Sequence, residues 1–263
     1  MKSEELGSYQ GLVAVGGDGM FQELVSGILA RRARGDPAAH RIRLGHIPAG
    51  STDAVACTLH GSRCAVTSAL HIALGDRLAL DCGRVAAAGG EGEGGAASVR
   101  HFVCLAGYGF MGEVMRHSER LRWLGPGRSD KSKRGIIPNG HLSDGRMYLV
   151  LVSAVRHHHF LRFLLRLASR GLVDRCTPHV RVIPITAMRL SPLPGGHSVG
   201  GCLWDAAAPA SAWNVDGELL YDCDVEIAVQ RGAVEVFARG PETGPTGAQA
   251  GGRGNSSGAA GRR

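Results

Sequence analysis

Two short stretches hold the residue types that phosphate chemistry needs. In "VAVGGDGMFQELVSGIL", residues 13–29, an acid stands among glycines, Gly16-Gly17-Asp18-Gly19, where an apolar run gives way to one-sided helical spacing. In "RIRLGHIPAGSTDAVACTLHG", residues 41–61, a Pro-Ala-Gly turn leads through Ser51, Thr52 and Asp53 into a second helical pattern. Strand, tight glycine turn and helix together aim backbone N–H groups at an anion, and glycine lets a ligand approach the backbone closely. A carboxylate repels phosphate, so Asp18 needs a task of its own there, either a metal ion or a proton. Neither stretch fits the nucleotide patterns G-x-x-x-x-G-K-[ST] or G-x-G-x-x-G. A plain structural reading stands beside the functional one: Gly16 to Gly19 as a tight turn, with Ser51, Thr52 and Asp53 as N-caps. The pairing favours chemistry. Two such turns about 30 residues apart, in a β-α-β rhythm, line the carboxyl edge of one open sheet, where α/β proteins bind ligands.

The elements that must hold these turns follow from periodicity. Leu12 to Val15 is a short apolar run of the kind expected in a buried parallel strand. Phe21, Leu24, Val25, Ile28 and Leu29 repeat at the spacing of one helical face. "RLALDCGRV" (77–85) and "SVRHFVCLAG" (98–107) read as strands around a glycine-rich loop at 86–98. "GEVMRHSERLRWL" (112–124) reads as a helix. From "RMYLVLVSAV" (146–155) onward strand-like runs dominate, including "HVRVIPITAM", "VEIAVQ" and "VEVFA", with one helix at 157–170 between them. Asp216-Gly217 in "WNVDGELL" marks a hairpin turn. The fold class is therefore α/β plus β. A partial α/β nucleotide-binding domain spans 1–76, a β-rich, sandwich-like domain spans 77–240, and 241–263 is a disordered tail.

Composition narrows the partners. The seven cysteines (57, 64, 82, 104, 176, 202 and 223) form no C-x-x-C pair, which argues against a disulfide framework or zinc site and for a reducing compartment. No apolar run reaches membrane-span length, and no signal peptide precedes the first strand, so a cytoplasmic location is expected. A net charge of +7 suits an anionic partner, and solubility alone explains it as well. With 5% aromatic residues the chain lacks a base-stacking motif, so nucleic acid is not expected as a partner.

"VGGDGMFQELVSGIL" and "IPAGSTDAVACTLHG" together resemble the paired nucleotide-binding motifs of the diacylglycerol, sphingosine and ceramide lipid kinases. "SALHIALGDRLALD" (68–81), "YGFMGEVMRHSERLRWLG" (108–125), "GHLSDG" (140–145), "FLRFLLR" (160–166) and "SAWNVDGELL" with "VFARG" (211–240) extend the likeness over nearly all of residues 10–240, most closely to the ceramide kinases. The resemblance implies an ATP-dependent lipid kinase that moves the γ-phosphoryl group to the primary hydroxyl of ceramide, with Mg²⁺ as cofactor. It implies that Gly16, Gly17, Gly19, Gly50, Ser51 and Thr52 hold the nucleotide. Arg122 becomes the candidate phosphate contact, with Glu119 fixing its geometry. Asp18 is the candidate acid facing the lipid hydroxyl, and Glu218 is its rival. Asp144 and Asp216 are the candidate magnesium holders.

Arg162, Arg166 and Arg170 repeat every four residues, while Phe160, Phe163, Leu164 and Leu167 cover another face. That pattern suits a peripheral membrane surface, a calmodulin target over 157–173 or an ordinary surface helix. The family's response to Ca²⁺ through calmodulin supports the second. His157, His158 and His159 are adjacent on a helix and cannot all face one ion. Departures from the family pattern shape the expectation too. Family members normally begin several strands earlier, with a pleckstrin-homology domain and an Asn-Pro glycine-rich strand. They also carry a longer segment between "RWLG" and "GHLSDG", and a cysteine cluster that is missing here. The chain thus reads as a truncated form whose activity is impaired, with the 11–15 strand left as an apolar edge. The alternative is a catalytically inactive, kinase-derived binding or regulatory fragment.

Overall fold

The computed structural model describes residues 3–87, 99–110, 112, 140–153, 155–170, 178–191, 212–222 and 224–238. Glu119, Arg122, the helix expected at 112–124 and the tail at 241–263 lie outside the described residues. A short α1 (Ser3–Gly7) precedes β1 (Gly11–Gly16). α2 (Asp18–Ala33) then buries the face its spacing predicts: Phe21, Val25 and Ile28 are buried, and Leu24 and Leu29 pack beside them. Asp36 caps α3 (Pro37–Arg41) by accepting the Ala38 N–H at 3.0 Å, with Pro37 at the first helical position. β2 (Arg43–Pro48) runs parallel to β1, in register from Gly11 against Arg43 to Gly16 against Pro48. Both strands therefore end at the same edge, each delivering its glycine turn there. α4 (Ala54–His60) and α5 (Ala65–Leu74) follow, stopped by Gly61 and Gly75 in left-handed conformation.

The second half of the chain returns into this sheet. β3 (Arg77–Ala87) pairs antiparallel with β4 (Arg100–Phe102), and β11 (Val225–Phe237) lies between β2 and β3. β11 is antiparallel to β3, and at Glu235 and Val236 it is parallel to β2 at Arg43 and Leu44. The two runs "VEIAVQ" and "VEVFA" are thus parts of one strand, interrupted only by an irregularity between Gln230 and Val234. Gly232 takes a positive φ there, and the Asp81 carboxylate accepts its N–H at 2.7 Å. Leu44, Leu80, Val234 and Val236 meet the buried face of α2 in one core.

A second core joins two sheets. β5 (Ala106–Tyr108), β9 (Trp213–Val215) and β10 (Glu218–Leu220) form an antiparallel sheet in the order β10-β9-β5. Trp213, Val215 and Leu220 from it pack against Val85, Val225 and Ile227 of the main sheet. The α/β plus β class expected from the sequence is what the structure contains. β6 (Met147–Val152) and β7 (Val180–Ile185) pair antiparallel around α6 (His157–Arg170), and β8 (Ala187–Leu190) pairs with β11.

Periodicity alone reads Leu12 to Val15 as a buried strand, but the structure has the apolar edge expected for this chain: of β1 only Ala14 is buried, while Val13 and Val15 are 42% and 58% exposed. β1 ends the strand order among the described residues, so α2 covers one face and no described strand covers its outer edge.

α4 and α5 meet through a stacked pair of imidazoles, His60 on His71, 5.1 Å between centroids. Neither ring nitrogen of His60 has a hydrogen-bond partner. Burial first, then the positive fields of His71 and His46, push the His60 imidazole down to about 4. The unfolded chain takes up that proton near pH 6.5, while the folded chain resists it until near 4. Neutral His60 therefore supports the fold fully above the upper value, and that support fades as pH falls toward the lower one. Urea unfolding at pH 7 and pH 5 should show a loss of about 1 kcal/mol from this group, discounted for its partial exposure. His60→Leu should flatten that part of the profile; an unchanged slope would show that His60 takes its proton freely in the fold.

Candidate active site

The two glycine turns interlock. The Ala49 N–H donates to the Gly16 carbonyl at 2.9 Å, and His46, fully buried beneath, places Nε2 3.0 Å from the same oxygen. A Cβ on Gly50 would lie 2.5 Å from the Gly17 Cα, and one on Gly17 would lie 3.3 Å from the Gly50 Cα. The turns approach so closely that a side chain on Gly50 would collide with the opposing backbone.

Asp18 bridges them. Its carboxylate accepts the Ala54 N–H at 3.0 Å and the Val55 N–H at 2.9 Å. The first turn of α4 is therefore capped from the head of α2, not from its own approach segment. Asp53 does occupy the N-cap position, as the sequence suggests, but its side chain makes no cap bond. With φ 49° it is left-handed, and its carboxylate turns back to accept the Gly50 N–H at 2.9 Å. That conformation aims the side chain over the turn it has just left, which leaves the helix donors to Asp18. Ser51 is exposed and Thr52 half-buried.

Gly19 sits in the first turn of α2, and a Cβ there would meet nothing within 4 Å. Met20 and Phe21 donate to the Gly17 carbonyl at 3.1 and 3.3 Å. The N–H groups of Asp18 and Gly19 precede any intrahelical acceptor. Exposed Gly19 thus stands at a helix start whose first N–H groups have no helical acceptor.

The other candidate residues stand as follows. Asp216 takes left-handed φ 47° in the β9–β10 turn, as its Asp-Gly sequence suggests. Its carboxylate accepts the N–H groups of Val103 at 2.6 Å, Cys104 at 3.1 Å and Leu105 at 2.7 Å. Burial pushes its proton affinity above the ordinary carboxylate range, these three N–H groups oppose that shift, and the charge of Asp18 adds to it. The charge of Asp18 thus reaches Asp216, as the smallest of these influences. Glu218 is exposed and ion-paired with Arg100. Asp144 accepts the Arg146 N–H at 2.9 Å and the Tyr148 hydroxyl at 3.2 Å. Among the described residues, no three His, Cys, Asp or Glu side chains gather where a metal ion could sit. On α6, Phe160 packs edge-on against Phe110 at 4.7 Å and Phe163 is buried, while Leu161 and Leu165 are exposed.

Sequence reasoning did not single out His46 or Arg63. Arg63 donates to the Ser51 carbonyl at 2.9 Å and lies 3.8 Å from the Asp53 carboxylate. It is separated from that turn by all of α4, so no local spacing marks it. His46 occupies an apolar position of a strand, where its polarity is the only signal.

Residues 1–85 match the diacylglycerol kinase catalytic domain family. Human ceramide kinase is 27% identical over 90% of this chain and 64% of its own length. Mouse ceramide kinase is 42% identical over 48% of this chain and 24% of its own length. Sphingosine kinase 2 of Arabidopsis thaliana is 30% identical over 49% of this chain and 26% of its own. The chain thus spans less than two thirds of these curated relatives. A diacylglycerol kinase from Bacillus anthracis shares the fold at TM-score 0.57, with 13% identity, over 90% of this chain and 79% of that one.

Two glycine substitutions separate the roles of the turns. Gly50→Ala should cost about 1–3 kcal/mol in urea unfolding, because its methyl group meets backbone with nowhere to relax. Gly19→Ala should be neutral or add up to about 1 kcal/mol, since its Cβ enters open space in a helical turn. Equal effects at both positions would show that the turns do not interlock.

Proposed function

Because this chain belongs to the lipid kinase family that holds the diacylglycerol and ceramide kinases, we propose that it transfers the γ-phosphoryl group of ATP to the primary hydroxyl of ceramide. The observation that carries this reading is the interlocked pair of turns, with open space at Gly19 where a phosphate would lie. Gly16, Gly17 and Gly19 present backbone to the nucleotide from one strand end, and Gly50, Ser51 and Thr52 present it from the neighbouring one. Ceramide is chosen over diacylglycerol and sphingosine on the likeness to human and mouse ceramide kinases.

Catalysis of phosphoryl transfer is mostly positioning and charge stabilisation. A bond from the lipid oxygen to the γ-phosphorus forms as the bond to the bridging oxygen of the departing ADP breaks, and the hydroxyl proton leaves. Asp18 is the acid proposed to orient that hydroxyl and take its proton. Each of its oxygens accepts one N–H from α4 and keeps a lone pair, so the carboxylate is held still. Glu218, exposed and paired with Arg100, is the rival. Magnesium neutralises phosphate charge when bound with ATP. Asp144 and Asp216 are the acids proposed to hold the ion or its water shell: each Asp144 oxygen accepts one hydrogen bond and keeps a lone pair, while Asp216 is the more fully engaged of the two.

A bilayer-borne substrate calls for peripheral membrane contact, and no helix among the described residues is long and apolar enough to cross a membrane. The exposed Leu161 and Leu165 of α6, beside exposed Arg162, support contact with an anionic lipid surface. The calmodulin reading is weaker, because Phe160, on the apolar face that a calmodulin target would present, packs on Phe110 within the fold.

Radiolabelled ATP offered with ceramide, sphingosine and diacylglycerol in mixed micelles tests the substrate. Ceramide should take most label; a clear preference for diacylglycerol would overturn that choice. Asp18→Asn should lower turnover by on the order of a hundredfold while Mg·ATP affinity changes little. The same variant keeps one acceptor oxygen for α4, so it should lose only about 1–2 kcal/mol of stability. Normal turnover would leave Asp18 as a cap alone and make Glu218 the acid to test.

A further inference from the structure

The turns that would receive a polyanion carry two carboxylates of their own. Asp18 spends its charge on two helix N–H groups. Among the described residues Asp53 has one hydrogen-bond donor, the Gly50 N–H, yet it is 4% exposed. A carboxylate this buried repels any phosphate brought beside it unless a cation balances it. Arg63 brings that cation. One terminal nitrogen lies 3.8 Å from the Asp53 carboxylate and donates to the Ser51 carbonyl at 2.9 Å. The Arg63 side chain remains 47% exposed. Its charge also reaches Cys57 on α4, where it opposes the upward push of burial and of Asp18 and Asp53 on that thiol.

We infer that Arg63 is a positioning residue of the nucleotide site. It neutralises Asp53 and ties down the Ser51 carbonyl, so that Gly50, Ser51 and Thr52 are held in shape for a nucleotide's phosphates. The inference rests on the nucleotide reading above for its ligand, but not for its geometry. Lysine is a partial substitute, because one ammonium nitrogen can also face both oxygens, but its shorter, more strongly hydrated head must be held there without the planar guanidinium.

The test uses the full chain with Arg63→Gln, Arg63→Lys and the double variant Arg63→Gln with Asp53→Asn, titrated with Mg·ATP by calorimetry. Arg63→Gln should weaken binding on the order of tenfold. Arg63→Lys should recover part of that loss. The double variant should recover most of it, since the uncompensated charge is gone while the asparagine oxygen still accepts the Gly50 N–H. Such coupling is not expected of a residue that only supports folding. Unchanged affinity in Arg63→Gln would overturn the inference. If the parent chain binds no Mg·ATP at millimolar concentration, the nucleotide reading fails, and hydrogen exchange of the 50–55 amides then decides for Arg63. Faster exchange there in Arg63→Gln would uphold its hold on the turn; unchanged exchange would overturn it.

Discussion

The contact on which the site depends is backbone against backbone, where Gly17 and Gly50 meet with no room for a side chain. Parallel pairing of β1 and β2 brings two strand ends level, and helices then leave both from one edge. Turns of ordinary residues would hold those helix starts apart. Glycine on both sides lets them close until Asp18 reaches across to the first donors of α4. The acid that puzzles in a phosphate turn thus has a structural task before any chemical one. It replaces the cap that Asp53 gives up by turning left-handed toward Gly50.

Charge at this edge is arranged in pairs. Asp18 is met by backbone dipoles and Asp53 by a guanidinium, while Asp216, the third acid, is held by three N–H groups of the 103–105 segment. The field of Asp18 nevertheless adds to the upward shift of Asp216. The β9–β10 hairpin that carries Asp216 also supplies Trp213 and Val215 to the second core, so packing fixes where that acid stands.

Local signals carried the sequence reading a long way. The face of α2 was legible from five apolar positions, the Asp216-Gly217 hairpin from its dipeptide, and α6 from its spacing, because each depends on residues near in sequence. Long-range features escaped it. Periodicity cannot say that Val225 to Phe237 is one strand between β2 and β3, nor that Arg63 folds back onto Ser51. The exposure of Val13 and Val15 followed from comparison with the family pattern and not from periodicity: an apolar run shows that a strand can be covered, not that a neighbour covers it. Of the site, the glycines and Asp18 were visible as types, while their mutual grip was not.

The placement of β11 has a consequence for how the chain reaches this structure. Its last residues complete the parallel pairing at Arg43 and Leu44, so one of the earliest strands waits for one of the latest. Such pairing joins residues far apart in the chain, which is slow to find and cannot form until Glu235 and Val236 have been made. On a ribosome, the α2 side of the sheet would emerge with Leu44 lacking its partner strand. That interval is when the nascent chain most needs shelter from its neighbours.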